Sequence, residues 1–125
     1  MCFFVTSKHS DKKIAKKDIP CYKHLYIKDN VIRSPFYRYF NKWKLDKKET
    51  TELGTKIIEK DSTIIKKGFH SFKISYKRSF IIFANAKFLA YIPEGSEYYE
   101  NDKEYVSNSI ILKEKLEYNS FSEFF

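Results

Sequence analysis

From residue 21 to 27 the chain alternates: Cys21, Leu25 and Ile27 fall on one side of an extended backbone, with Tyr22, His24 and Tyr26 on the other. This period-two pattern predicts a strand. Two more strands are predicted at 87–92 and 109–118; in the latter Ile110, Leu112, Leu116 and Tyr118 face one way and Lys113, Lys115 and Glu117 the other. Shorter strands are predicted at 3–6, 55–59 and 63–65, the last two around an Asp61-Ser62 turn. Lys28-Asp29-Asn30 reads as a turn, and Pro35 limits 31–40 to an edge strand or a strand with a break. Residues 42–52 carry few apolar positions, chiefly Trp43 and Leu45, and fit a charged helix or a loop. Residues 71–85 place Ile74, Phe80, Phe83 and Ala84 at spacings that one helix face can bury, with Ser71 as its N-cap, and predict a helix. The sum is an α+β fold, a mostly antiparallel sheet with one or two helices in a single domain over 1–125, without internal repeat or linker.

Composition supports a folded chain. Its 125 residues are 42% hydrophobic and 18% aromatic, enough to bury about two-thirds of the unfolded surface. Two cysteines, Cys2 and Cys21, are too few for a disulfide framework, and no stretch reads as a secretory signal. The longest apolar runs, 80–84 and 88–92, fall far short of the roughly 20 residues a bilayer requires. The expectation is a cytoplasmic protein with reduced thiols and no membrane association. Charge is uneven along the chain. Residues 1–48 hold 13 Lys and Arg against 4 Asp and Glu, whereas 88–125 hold 3 against 8, within a net charge of +8. A basic first part suits an anionic partner; the two parts can equally pair as strands of one sheet and neutralise each other.

Several chemistries are excluded by spacing. With glycine only at positions 54, 68 and 95, the chain has no phosphate-cradling loop. His9, His24 and His70 lie far apart without cysteine or histidine at ligand spacing, which argues against a structural zinc site. Three features retain chemical content. Removal of Met1 leaves Cys2 as a thiol beside an α-amine, a nucleophile with its own base; Cys2 can equally begin a buried strand as a small hydrophobe. His70 and Ser71, after the Gly68 turn, can orient a substrate or move a proton, or be a capping serine and a backbone-satisfied histidine. The run Arg33-Ser34-Pro35-Phe36-Tyr37-Arg38-Tyr39-Phe40-Asn41-Lys42-Trp43-Lys44 interleaves rings and cations. Arg33, Arg38, Lys42 and Lys44 can meet phosphates while Tyr37, Tyr39 and Trp43 stack on bases; the competing role for such rings is core packing.

The Met1-Cys2-Phe3-Phe4 start, Lys13-Ile14-Ala15-Lys16-Lys17-Asp18-Ile19 leading into Cys21-Tyr22-Lys23, Ser34-Pro35, Gly68-Phe69-His70-Ser71 and Ile92-Pro93-Glu94-Gly95-Ser96-Glu97-Tyr98-Tyr99 resemble a group of short uncharacterised proteins of bacteriophages and mobile elements. That resemblance implies a host-takeover or anti-defence setting, and no activity. More distantly, the Tyr-Lys strand, the Gly-Phe-His-Ser turn into a helix and the Ile-Pro-Glu-Gly strand end are similar to the ADP-ribosyltransferase scaffold. In that family a first-strand Arg or His and a middle Ser, Thr or Tyr bind NAD, and a late glutamate positions the nicotinamide ribose. The resemblance places Lys23 or His24 and Ser71 at the first two positions. At the third, Val106-Ser107-Asn108-Ser109 has no glutamate, Glu104 being the nearest upstream; an inactive or repurposed scaffold is implied.

The expected function is binding without a cofactor: an anti-defence inhibitor, monomer or homodimer, that engages a host defence protein or nucleoprotein complex, with nucleic acid as a further partner, through Arg33, Tyr37, Arg38, Tyr39, Lys42, Trp43 and Lys44. The alternative is an enzyme or a binder of NAD or another nucleotide, with its site at His24, His70, Ser71 and Cys2.

Overall fold

Extended backbone prevails throughout the computed structural model, which describes residues 4–6, 12–33, 42–54, 56–59, 62–65, 67–74 and 84–116. Strand makes up 62% of that part and helix 0%, so the α+β expectation is overturned in favour of an all-strand architecture. The strands are β1 (Phe4–Thr6), β2 (Lys13–Ile14), β3 (Ile19–Lys28), β4 (Val31–Arg33), β5 (Lys48–Thr50), β6 (Lys56–Glu59), β7 (Ser62–Ile65), β8 (Phe69–Phe72), β9 (Ala86–Ile92), β10 (Glu97–Glu100), β11 (Glu104–Ser107) and β12 (Ser109–Leu116). The main sheet runs β2-β10-β11-β8-β3-β9-β12-β5, with β4 hairpinned onto β3, and a smaller sheet runs β1-β7-β6. Every strand pairing is antiparallel.

The helix expected over 71–85 fails at both described ends. Ser71 is no N-cap: it lies inside β8 opposite Tyr105 of β11. Ile74, expected on a buried helix face, is 54% exposed. At the far end the Asn85 N–H donates to the Leu25 carbonyl, and its side chain grips Ile27, accepting from the backbone N–H at 2.7 Å and donating to the carbonyl at 3.0 Å. Residues 75–83 lie outside the described part. The cause is long-range pairing: a local 3.6-residue spacing carries less free energy than ladder bonds to β11 and burial of Phe69 and Ser71. The charged helix or loop expected over 42–52 is likewise a strand in part, since β5 pairs with the start of β12.

The core lies on one face of the main sheet. Cys21 and Leu25 of β3 meet Ala86, Phe88, Ala90 and Ile92 of β9, then Ile110 and Leu112 of β12, with Phe69 and Trp43 closing the cluster. The register pairs Cys21 with Ala90 and Leu25 with Ala86, so alanines on β9 leave room for larger neighbours. On the opposite face Tyr99 and Val106 pack with Ile65 of the small sheet and with Leu53. One expectation for β12 is corrected by a bulge. Leu112 pairs with Ala90 but Glu114 with Leu89, leaving Lys113 as the extra residue. The phase flips there, so Leu116, opposite Lys87, no longer shares a face with Leu112.

Turns fall where the backbone needs them. Asp29 and Asn30 have φ of 54° and 62°, the paired left-handed conformation of a two-residue hairpin. Gly95 has φ of 86°, and the Ser96 N–H donates to the Pro93 carbonyl at 3.1 Å, as a glycine at the third turn position permits. At the open end of the sheet Glu100 accepts from Lys73 at 2.6 Å and Lys13 at 3.0 Å, tying β2, β8 and β10 together. Burial opposes its charge, but the two ammonium groups hold its carboxyl below the ordinary range.

Gly68 is demanded by close approach. Its φ is 152°, and a Cβ there would stand 2.4 Å from Val106 Cγ2 and 2.9 Å from Leu53 Cδ2. Gly68→Ala is therefore expected to destabilise the domain by about 2–4 kcal/mol through overpacking and backbone strain. By contrast Gly95→Ala, with nothing within 4 Å of the new methyl group, costs about 1 kcal/mol from φ alone. Urea unfolding of both variants checks the order; equal stabilities would refute the close approach.

Candidate functional site

Of the basic and aromatic run, Arg33, Lys42, Trp43 and Lys44 fall among the described residues. The β3–β4 hairpin pairs Tyr26 with Arg33, Ile27 with Ile32 and Lys28 with Val31. The returning chain then adds one rung: Ile32 and Trp43 form an antiparallel bridge, with the Trp43 N–H donating to the Ile32 carbonyl at 2.9 Å. That register sets Arg33 next to Lys42 and Val31 next to Lys44. A parallel bridge from Leu45 to Leu112 and a 2.8 Å bond from the Asp46 N–H to the Leu112 carbonyl carry the segment onward.

Side-chain alternation sorts this rung into two faces. Trp43 turns inward and is 3% exposed; its ring stands edge-on to Phe69 at 5.5 Å, and the Lys23 ammonium lies 5.7 Å from its centroid. Ile32 packs against the same core. Arg33, Lys42 and Lys44 are exposed. Trp43 thus fills the packing role and does not offer its ring to a base. Tyr37, Arg38, Tyr39 and Cys2 lie outside the described residues. Lys28, exposed at the hairpin end, was not picked out by the sequence reading, because only the hairpin register brings it to this edge.

The second candidate set is distributed differently. Lys23 and His24 on β3, Ser71 on β8 and Glu104 on β11 lie on three adjacent strands. Alternation nevertheless divides them. Ser71 faces the core side, 1% exposed, opposite Tyr105. His70 pairs with Val106 and Glu104 with Phe72 on the reverse side, where the His24 ring meets Phe72 edge-on at 5.2 Å. The strands therefore bring His24, His70 and Glu104 to one face and place Ser71 on the other. The Lys23 ammonium donates to the His70 carbonyl at 2.5 Å.

Electrostatics show what these groups can do. Burial, then the ammonium groups of Lys87 and Lys23, push the His24 imidazole down to about 4, so it is neutral near pH 7. Burial pushes the Cys21 thiol up to about 11, against the opposing pull of the Ser71 hydroxyl and Lys23. A thiol held protonated is a packing group, not a nucleophile. Among the described residues no group of three or more His, Cys, Asp or Glu can hold a metal ion, and no helix is long and apolar enough to cross a membrane.

Two outcomes follow. Because the folded pKa of His24 lies below its ordinary 6.5, its contribution to stability is complete above pH 6.5 and is lost as pH falls from 6.5 to about 4, by at most about 3 kcal/mol. His24→Gln should flatten urea-unfolding stability across that window, and an equal fall in both proteins would contradict the assignment. In a Cys2→Ser background, Cys21 should resist a disulfide reagent at pH 8 until denaturant is added; rapid native labelling would show the thiol to be accessible.

Comparison of the chain with protein-family models, with curated proteins and with solved structures finds no match of any of the three kinds.

Proposed function

We propose that this chain is a small binding protein that engages nucleic acid, or a host factor carrying it, through the basic edge formed by Lys28, Arg33, Lys42 and Lys44. The observation that supports this is the Ile32–Trp43 rung, which gathers cations from two segments on one exposed edge. Among the described residues none of the four is engaged in an ion pair, whereas Lys12, Lys13, Lys47, Lys73 and Lys113 all are. Like charges packed together without counter-ions raise the local potential and favour a polyanion. The wider setting, a phage or mobile-element protein blocking a host defence factor, rests on the sequence resemblance.

Binding to a nucleotide such as NAD, at the face that carries His24, His70 and Glu104, is the weaker reading. A dinucleotide requires several polar groups converging on one cavity, and Ser71 lies on the opposite side of the sheet from His24.

Affinity for a labelled oligonucleotide should fall steeply with salt. Three phosphate contacts correspond to a loss of roughly 20- to 40-fold between 50 and 200 mM salt. Arg33→Ala, Lys42→Ala and Lys44→Ala combined should remove most of that dependence while leaving the unfolding midpoint near its original value. Salt-independent affinity, or full affinity in the triple variant, would sink the proposal.

A further inference from the structure

We infer that Trp43 is a positioning residue for the basic edge, and that this edge grips the phosphodiester backbone of a nucleic acid with no base stacked on Trp43. The inference rests on the proposed polyanion reading and goes beyond it by naming the bound chemistry and the residue that shapes the site.

Among the described residues the segment carrying Lys42 and Lys44 meets β4 through one bridge, and meets β12 through a second bridge at Leu45 and the Asp46 N–H bond to the Leu112 carbonyl. Leu45 is itself 45% exposed and is a poor anchor. Trp43 is the buried group between the two lysines, wedged against Phe69 and the Ile32 side of the hairpin. Its burial turns both neighbours outward, since residues one step to either side of an inward side chain face away. Lys42 and Lys44 then stand two residues apart along extended chain, about 7 Å, with Arg33 across the rung from Lys42. Three outward cations at fixed spacing, without counter-ions among the described residues, complement a regular row of phosphate charges. Arg33 brings a planar fork of donors suited to a phosphate, and the lysines bring compact point charges. A stacking role for Trp43 would need its ring face in solvent, and 3% exposure leaves none to offer.

Trp43 is the chain's single tryptophan, so its emission reports on this site alone. Titration of the full-length protein with a homopolymeric single strand and with a duplex of the same length should leave Trp43 emission unquenched and protected from acrylamide, while a labelled strand shows binding by anisotropy. Strong quenching on binding would overturn the inference by showing a stacked ring. Trp43→Phe should keep affinity and salt slope. Trp43→Leu, measured well below its melting temperature, should weaken binding at least about fivefold and reduce the salt slope by about 1, the equivalent of one phosphate contact. Unchanged affinity and slope in a folded Trp43→Leu protein would refute the positioning role. If that variant does not fold, Ile32→Ala, which loosens the same rung from the other strand, is read by the same two criteria. Failure of the parent reading looks different: the unsubstituted protein then binds neither strand, or binds with no salt dependence, and both proposals fall together.

Discussion

Pairing of β3 with β9 is the constraint on which the rest of the structure depends. Seven consecutive partners, from Ile19 with Ile92 to Leu25 with Ala86, run along the middle of the main sheet. They join segments more than 60 residues apart in the chain, so the loop-closure entropy is large and must be recovered by burial on both faces. On the core face Cys21, Leu25, Phe88 and Ile92 are each 1% exposed or less. On the reverse face His24 and Lys87 are also nearly sealed, at 2% and 6%, and they are cross-strand partners.

That reverse face explains the unusual chemistry of β3. Burial, reinforced by the Lys87 ammonium opposite it, keeps the His24 imidazole neutral, and it packs as an aromatic body against Phe72. Lys23, on the other side of the same strand, is tied to the His70 carbonyl and lies over Trp43. Both polar residues of β3 that resemble catalytic candidates are thereby committed to joining strands. The exposed cations of the β4 edge carry no such commitment among the described residues, which is why a partner is sought there.

The legible parts of the fold were those with local causes. Alternation in 21–27 marks β3 and the short apolar run 88–92 marks β9, and Asp29-Asn30 and Pro93 to Ser96 are turns because few other residues tolerate those backbone angles. Residues 71–74 misled because Ile74 and its successors fit a helical period, and the pairing of Ser71 with Tyr105 that decides the matter has no local signature. The same holds for the bulge at Lys113: a phase shift inside an alternating strand is set by its pairing with the partner strand, which lies 20 or more residues away in the chain. At the candidate site Arg33, Lys42 and Lys44 stand out in the sequence, whereas Lys28 joins them only through the hairpin register. The inward turn of Trp43 was not legible, because a ring flanked by lysines fits stacking and packing equally well until its neighbours in space are known.

Trp43 illustrates how one packing decision distributes function along a strand. In an extended segment the inward choice of one residue dictates the outward choice of the next, so burying Trp43 against Phe69 also exposes Lys42 and Lys44. The Ile32 bridge transmits that choice across the rung to Arg33, which is outward because Ile32 is inward. The hydrophobic core and the charged edge are therefore two consequences of a single register, and a one-residue slip between β4 and the Trp43 segment would exchange them: the indole would enter solvent and the lysines would enter the core. The free energy of burying Trp43 is what prevents the slip, and so the ring that is hidden from solvent is the one that keeps Lys42 and Lys44 facing outward.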